Sequence, residues 1–309
     1  MEATSFTLRT AEGVEIYVRR WAPDAAPKAG VQIAHGLAEH GGRYARLAHA
    51  LTGAGYVVYA SDHRGHGRSA ARADDLGFFA ARDGWAMVLG DLSQVRRRIA
   101  GDHPDQPIVL IGHSMGSFMA QHLMSEHGGA FAGVVLSGTG GKPSALAAVG
   151  RLVARLERWR LGARGHSKLL QAFSFGAFNK QFAPARTDFD WLSRDPAEVD
   201  KYIADPLCGF PASVQLWIDV LDALGDVTSP ARQARIPKRL PIYVIAGSND
   251  PVGGNTKSVG QLLDAYRDVG LERVAHRFYD GARHELFNET NRDEVTRDLI
   301  QWMDGVVAR

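Results

Sequence analysis

Cysteine is nearly absent: the 309-residue chain has one, Cys208. A lone thiol closes no internal disulfide and supplies no thiolate zinc cluster, so stability must come from packing, and a reducing, cytoplasmic setting is expected. Charge of one sign is scarce too. With 36 Lys and Arg against 34 Asp and Glu the formal charge is +2, too small a bias to point to a nucleic-acid partner without a basic patch. No run approaches the roughly 18 apolar residues of a membrane span, and the opening MEATSFTLRT has neither the basic start nor the apolar stretch of an export signal. Internal repeats and low-complexity tracts are missing. What is left, 45% apolar and 23% charged residues, is the composition of an ordinary globular protein.

Against that background the ordered features stand out. Short β-branched runs recur: VEIYVRR at 14–20, then VQIAHG, YVVYASD, PIVLIGHS, AGVVLSG and PIYVIAG. The later runs are almost continuously apolar, as parallel strands covered on both faces must be, whereas VEIYVRR alternates like an antiparallel pair near an edge. Between them lie stretches with apolar spacing of three and four residues, such as RYARLAHALTGAG and GWAMVLGDLSQVRRRIAGDHP, which predict helices. Alternation of strand and helix predicts an α/β fold: an open, mostly parallel, doubly wound sheet with its active site at the carboxyl ends of the strands. From about Thr139 to Arg235 the alternation gives way to successive helical segments. The expectation is a core domain of residues 1–138 and 236–309, with 139–235 inserted as a helical cap over the strand ends.

The strongest chemical signal is Gly112-His113-Ser114-Met115-Gly116, directly after an apolar strand and directly before a helix. This is G-x-S-x-G in the context of the nucleophile elbow of α/β-hydrolases, where a tight turn thrusts the serine into the site and needs small residues on either side. Ser114 is the candidate nucleophile. A bare motif of this kind is more often a glycine-rich connection that merely packs; the strand and helix on its flanks decide for chemistry here. In this fold the acid and then the histidine follow the nucleophile in the chain. That order leaves His276, inside the strand-like RVAHRFY, and His284, after the turn Asp280-Gly281; His284 is the candidate base. Asp250, in AGSNDPVGG at the end of a strand, is the candidate acid, with Asp222 and Asp226 as alternatives. The backbone N–H groups of Met115 and of Leu37, in the loop after an early strand, are the candidate oxyanion donors. SDHRGHGRS reads as scaffold, with Asp62 and Arg64 able to pair. Its His63 and His66 lack the carboxylate or cysteine partners of a metal site, so no metal and no organic cofactor is called for.

HGLAEHGGRY, DHRGHGRS, GHSMGS and the late Asp and His resemble the monoacylglycerol lipase and lysophospholipase family of α/β-hydrolases, from about residue 5 to 305. The resemblance implies a serine hydrolase that cleaves single-chain carboxylic esters through an acyl-enzyme, with a small lipid ester as substrate. It also implies that Glu39 and Arg43 form the polar end of the pocket where a glycerol headgroup lies, the plainer reading being a helical Glu–Arg pair. Lysophospholipase, carboxylesterase, thioesterase, acyltransferase and aminopeptidase-like activities share this machinery. A hydrolase fold that only binds ligand is the rival of another class. In the cap, SALAAVGRLVARLERWRLG carries Val149, Leu152, Val153, Leu156 and Trp159 on one face and Arg151, Arg155 and Arg158 elsewhere. Such a helix either packs the cap onto its body or rests on an anionic lipid surface as a peripheral contact. Cys208 is expected to be buried.

Overall fold

In the computed structural model, residues 3–143 and 145–308 are described; residues 1, 2, 144 and 309, which the expected domain ranges include, lie outside them. Eight strands form one sheet: β1 (Thr4–Arg9), β2 (Glu15–Trp21), β3 (Ala29–Ala34), β4 (Tyr56–Ser61), β5 (Ile108–His113), β6 (Gly133–Ser137), β7 (Ile242–Gly247) and β8 (Val274–Tyr279). Their spatial order is β1-β2-β4-β3-β5-β6-β7-β8. β2 pairs antiparallel with both β1 and β4, and every pairing from β4 to β8 is parallel. The alternation of VEIYVRR thus reports the antiparallel end of a mixed sheet, although the outermost strand there is β1, whose alternation is confined to Phe6 and Leu8.

The continuous apolar runs have a direct cause. Successive side chains of a strand face opposite sides, and both sides here are covered. Ile108 and Leu110 of β5 join one core layer with Val134, Leu136 and Val244. Val109 and Ile111 join the other with Val31, Ile33, Val135 and Ile245. On the first face lie α2 (Gly84–Asp102), α3 (Met115–His127) and α10 (Lys257–Asp268); on the second lie α1 (Ala45–Gly53) and α11 (Arg292–Val307).

Between β6 and β7 the described residues contain helices and no strand: α4 (Ala145–Leu161), α5 (Lys168–Phe173), α6 (Phe175–Asn179), α7 (Pro196–Ala204), α8 (Val214–Val227) and α9 (Pro230–Gln233). α7 starts with Asp195 accepting the Ala197 amide and Pro196 in the first turn, and Ser213 caps α8 by accepting from the Leu216 amide; each supplies a partner for an otherwise orphaned helix-start N–H. α8 belongs to the main core through Leu216, Val220, Ala223 and Val227, and α4 rests on it through Val153 and Ala154. The rest of the α4 stripe does not pack: Leu152 is 61% exposed and Trp159 90%, with Val149 and Leu156 also exposed. Arg151 instead turns inward to Asp222 at 2.6 Å, and Arg158 donates to the Ala81 carbonyl. Of the five stripe residues Val153 alone packs the helix onto the body, and the other four face outward.

Candidate active site

The residues singled out by sequence gather at the carboxyl ends of β3, β5, β7 and β8. Ser114 sits in the turn from β5 to α3 at φ 51° and ψ −121°, a positive φ that a residue with a side chain adopts only where its surroundings impose it. The need for small flanks is geometric. A Cβ on Gly112 would stand 2.4 Å from the Gly116 carbonyl oxygen, and one on Gly116 would stand 2.1 Å from that of Ala34. The Ser114 amide donates to the Ser137 carbonyl at 2.9 Å, which hangs the turn from β6. Met115 opens α3, so its N–H is one of the helix-start donors that favour negative charge.

Asp250 and His284, 34 residues apart, meet in the fold: both carboxylate oxygens lie 3.0 Å from His284 Nδ1. Asp250 is fully buried and His284 nearly so. A second bond from the Val252 amide to Asp250 Oδ1 fixes the carboxylate. Burial pushes the His284 imidazole down, but the Asp250 charge and hydrogen bond, with Glu285 and Glu39 beyond, more than offset it and hold the ring above its ordinary value. With Nδ1 given to Asp250, Nε2 is the nitrogen left for a nucleophile. The His113 ring, next to Ser114, lies 4.7 Å from the His284 ring, and burial, then His284, push it down to about 4. Asp222 and Asp226 instead pair with Arg151 and Arg232. His276 points to solvent from β8.

The Leu37 loop is held from several sides. Glu39 Oε1 accepts the Gly36 N–H at 2.6 Å and the Tyr44 hydroxyl at 2.9 Å. The Gly36 carbonyl, which shares a peptide unit with the Leu37 N–H, accepts from His35 Nδ1 at 2.7 Å. The His63 amide donates to His35 Nε2, which fixes that tautomer. Ala38 has φ 57°, and its carbonyl accepts from the Tyr202 hydroxyl at 3.0 Å and the Gly209 amide at 2.9 Å. Gly36 lies against Ser114, where an added Cβ would be 3.2 Å from the serine Cβ.

Glu39 and Arg43 do pair, at 2.8 Å, but not as neighbours on one α-helix, because Arg43 lies in a short 3-10 turn that begins at Gly41. Arg43 also makes a two-pronged contact with Glu285, at 2.5 and 2.6 Å, and its guanidinium covers the Tyr202 ring at 4.8 Å. Burial pushes Glu39 up, but Arg43, His113 and the Gly36 and Tyr44 bonds outweigh it, so the carboxylate stays charged. Sequence reasoning missed Glu285, Tyr202 and Trp191, whose ring lies 5.0 Å from that of His284. Adjacency to His284 was the only available hint for Glu285; the other two lie in WLSRDPAEVDKYIADPLCGF, a cap stretch that resembles bacterial members of the family but assigns neither residue a role.

In the scaffold loop Asp62 and Arg64 do not pair with each other. Asp62 takes Arg19 at 2.6 Å and the amides of Gly41 and Arg68, while Arg64 grips Asp91 with two nitrogens. Burial holds His63 at about 3 and His66 at about 4, so both are neutral packing groups. Among the described residues one group, His40, Asp205 and Cys208, brings potential metal-ligand atoms within 4.8 Å of one another. The hydrogen bonds fit a tie better than an ion: the Gly42 amide donates to His40 Nδ1, leaving Nε2 to donate to Asp205 at 2.9 Å. Burial pushes the Cys208 thiol well up, away from the thiolate that a metal needs. A groove of about 560 Å³ between β8 and α11 contains none of the candidate site residues.

Comparison with known proteins places this site in context. The family model described as serine aminopeptidase, S33, matches residues 25–291. A monoacylglycerol lipase of Mycolicibacterium smegmatis is 32% identical over 94% of this chain and 93% of its own. The monoglyceride lipase of Homo sapiens is 30% identical over 98% and 89%. Among solved structures, a thermostable carboxyl esterase from Bacillus coagulans in complex with glycerol superposes with a TM-score of 0.92 at 27% identity, covering 99% of both chains.

Proposed function

The chain belongs to the α/β-hydrolase family described as serine aminopeptidase, S33, and we propose that within it the protein is a monoacylglycerol lipase working through a Ser114–His284–Asp250 triad. The observation that carries the hydrolase reading is the buried Asp250–His284 pair beside the strained Ser114 turn. The lipase reading rests on similarity along nearly the whole chain to proteins named for that activity.

In the proposed reaction Ser114 Oγ attacks the ester carbonyl and passes its proton to His284 Nε2. The carbonyl oxygen becomes an oxyanion facing the Leu37 and Met115 amides. Collapse breaks the ester bond, His284 returns the proton to the departing glycerol oxygen, and the acyl chain stays on Ser114. His284 then takes a proton from water as the water oxygen attacks the acyl carbon, and returns that proton to Ser114 Oγ as the acyl–serine bond breaks, releasing the fatty acid and restoring the serine hydroxyl. Asp250 keeps the imidazole in one tautomer and balances its charge without taking the proton. No hydrogen bond joins the Ser114 hydroxyl to His284 in this structure, and catalytic contacts of this kind commonly tighten only with substrate in place. Glu39 and Arg43, joined by Glu285, are the polar end where the glycerol hydroxyls would lie.

Helices α4 to α9 are read as a cap, bounded near residues 139 and 235. A peripheral contact between α4 and a lipid interface is the second reading, favoured by the exposed Val149, Leu152, Leu156 and Trp159. Among the described residues no helix is long and apolar enough to cross a membrane. Co-sedimentation with anionic vesicles, lost in a Leu152→Glu, Trp159→Glu double variant, tests that reading.

The test of function is glycerol and fatty-acid release from monoacylglycerols of graded chain length, beside lysophosphatidylcholine, aryl esters and an amino-acid anilide, with Ser114→Ala as control. Ser114-dependent preference for glycerol esters supports the assignment. Turnover of aryl esters alone keeps the hydrolase and removes the lipase.

A further inference from the structure

The cap segment Asp190–Arg194 runs as a strap along the loop that bears the histidine. The amides of His284 and Glu285 donate to the carbonyls of Trp191 and Leu192, the second at 2.8 Å. Arg283 donates to the carbonyls of Asp190 and Ser193. Glu289, fully buried, accepts from the backbone N–H of both Arg194 and Arg283. Trp191 is itself pinned, since its amide donates to Asn179 Oδ1 at 3.0 Å. Its ring is 4% exposed and lies between Phe178, at 5.2 Å, and His284, at 5.0 Å with a 36° tilt.

From this geometry we propose that Trp191 is a positioning residue for the base: its indole face restricts the His284 ring and stabilises the imidazolium formed when Ser114 gives up its proton. The inference rests on the triad reading above. Two physical arguments support it. An imidazole turns broadly about its second side-chain torsion; Asp250, with both oxygens 3.0 Å from Nδ1, restrains that rotation at the edge of the ring, and the indole restrains it at the face. A cation set against an aromatic face is attracted by the ring quadrupole, most strongly for Trp and most where water is excluded. The charged and titratable groups around His284 are Asp250 at Nδ1, the neutral His113 ring, and the more distant Glu285 and Glu39. His284 already lies above its ordinary value despite complete burial, and the indole face acts in the same direction as these carboxylates.

Leu in place of Trp191 keeps the site dry and apolar but removes the π face, whereas Phe keeps a weaker one. For Trp191→Leu we expect kcat on an aryl ester to fall about fivefold with KM unchanged, and the acidic limb of the pH–kcat/KM profile to move down by about half a unit. Trp191→Phe is expected to recover most of both. The same shift is to be read without turnover, by following the His284 ring by NMR through a pH titration in the Ser114→Ala background, with circular dichroism reporting the fold of each variant. Equal behaviour of the Leu and Phe variants, or an unmoved titration of His284 in a folded Leu variant, overturns the proposal. Full esterase activity of Ser114→Ala would instead defeat the triad reading, while the NMR titration still judges the contact between the rings.

Discussion

Replacing Glu39 by Gln separates two roles that the structure superimposes on one carboxylate. The side chain accepts three hydrogen bonds, from Gly36 N–H, the Tyr44 hydroxyl and Arg43, and is 3% exposed. Glutamine has the same shape but one acceptor oxygen, so its amide group must face one of those donors. Breaking a buried ion pair by removing one partner costs about 3–5 kcal/mol. Arg43 retains Glu285, however, so the expected loss of stability is smaller, about 2 kcal/mol, or one to two charge-assisted bonds. The catalytic consequence follows from Gly36. Deleting an oxyanion donor costs ~10²–10³ in kcat; here the proposed donor, the Leu37 N–H, stays, but the peptide before it, whose Gly36 N–H rests on Oε1, is held by a neutral amide oxygen in place of a carboxylate, and a drop of ~10-fold is expected. The assay compares a monoacylglycerol with an aryl ester that lacks the glycerol headgroup, below the thermal transition of the variant. If Glu39 anchors the loop, kcat falls for both substrates. An unchanged aryl-ester kcat, with KM raised for the glycerol ester alone, refutes the anchoring argument and leaves only headgroup binding.

Three further outcomes are expected. Asp250→Asn should fold and bind substrate while kcat falls by about 10⁴, because the amide donates where a carboxylate must accept from Nδ1 and so selects the wrong tautomer; steady-state kinetics near pH 8 check this, and a loss under tenfold would remove Asp250 from the triad. Stability should decrease as pH falls below about 6.5, towards the values near 3 and 4 of His63 and His66. These rings take up protons more readily unfolded than folded, so their contribution is complete above the unfolded value and is lost in acid; urea titrations from pH 8 to 4 measure it, and a flat profile contradicts the buried neutral assignment. Gly116→Ala should yield little folded protein, since its Cβ would meet the Ala34 carbonyl at 2.1 Å, and backbone on that side has no room to yield; a soluble variant with wild-type melting would show that the elbow can relax.

Much of the architecture was legible because it obeys short-range rules. Strands β3 to β7 have both faces covered, so each is almost continuously apolar, and the elbow is contiguous. β1 escaped notice because its alternation is short, only Phe6 and Leu8 being turned to the core while the other four residues are exposed. The α4 stripe had the periodicity of a packing face, yet periodicity gives only the relative directions of side chains. Which face meets a neighbour depends on where α8 stands, and α8 meets Val153 and Ala154 instead of Leu152 and Trp159.

Chain order and local context alone selected Ser114, Asp250 and His284 as candidates, because an elbow, a strand end and a late loop each have a local signature. The pairing of Asp250 with His284 across 34 residues, the grip of Glu285 on Arg43 across 242, the Tyr202 hydroxyl on Ala38 and the Trp191 ring on His284 have none. The first two arise where the loops after β3, β7 and β8 meet, the last two where the segment between β6 and β7 returns over the strand ends, and such contacts are set by the packing of whole elements. Sequence by itself determined which residues could do chemistry; the tertiary structure decided which groups hold them in place.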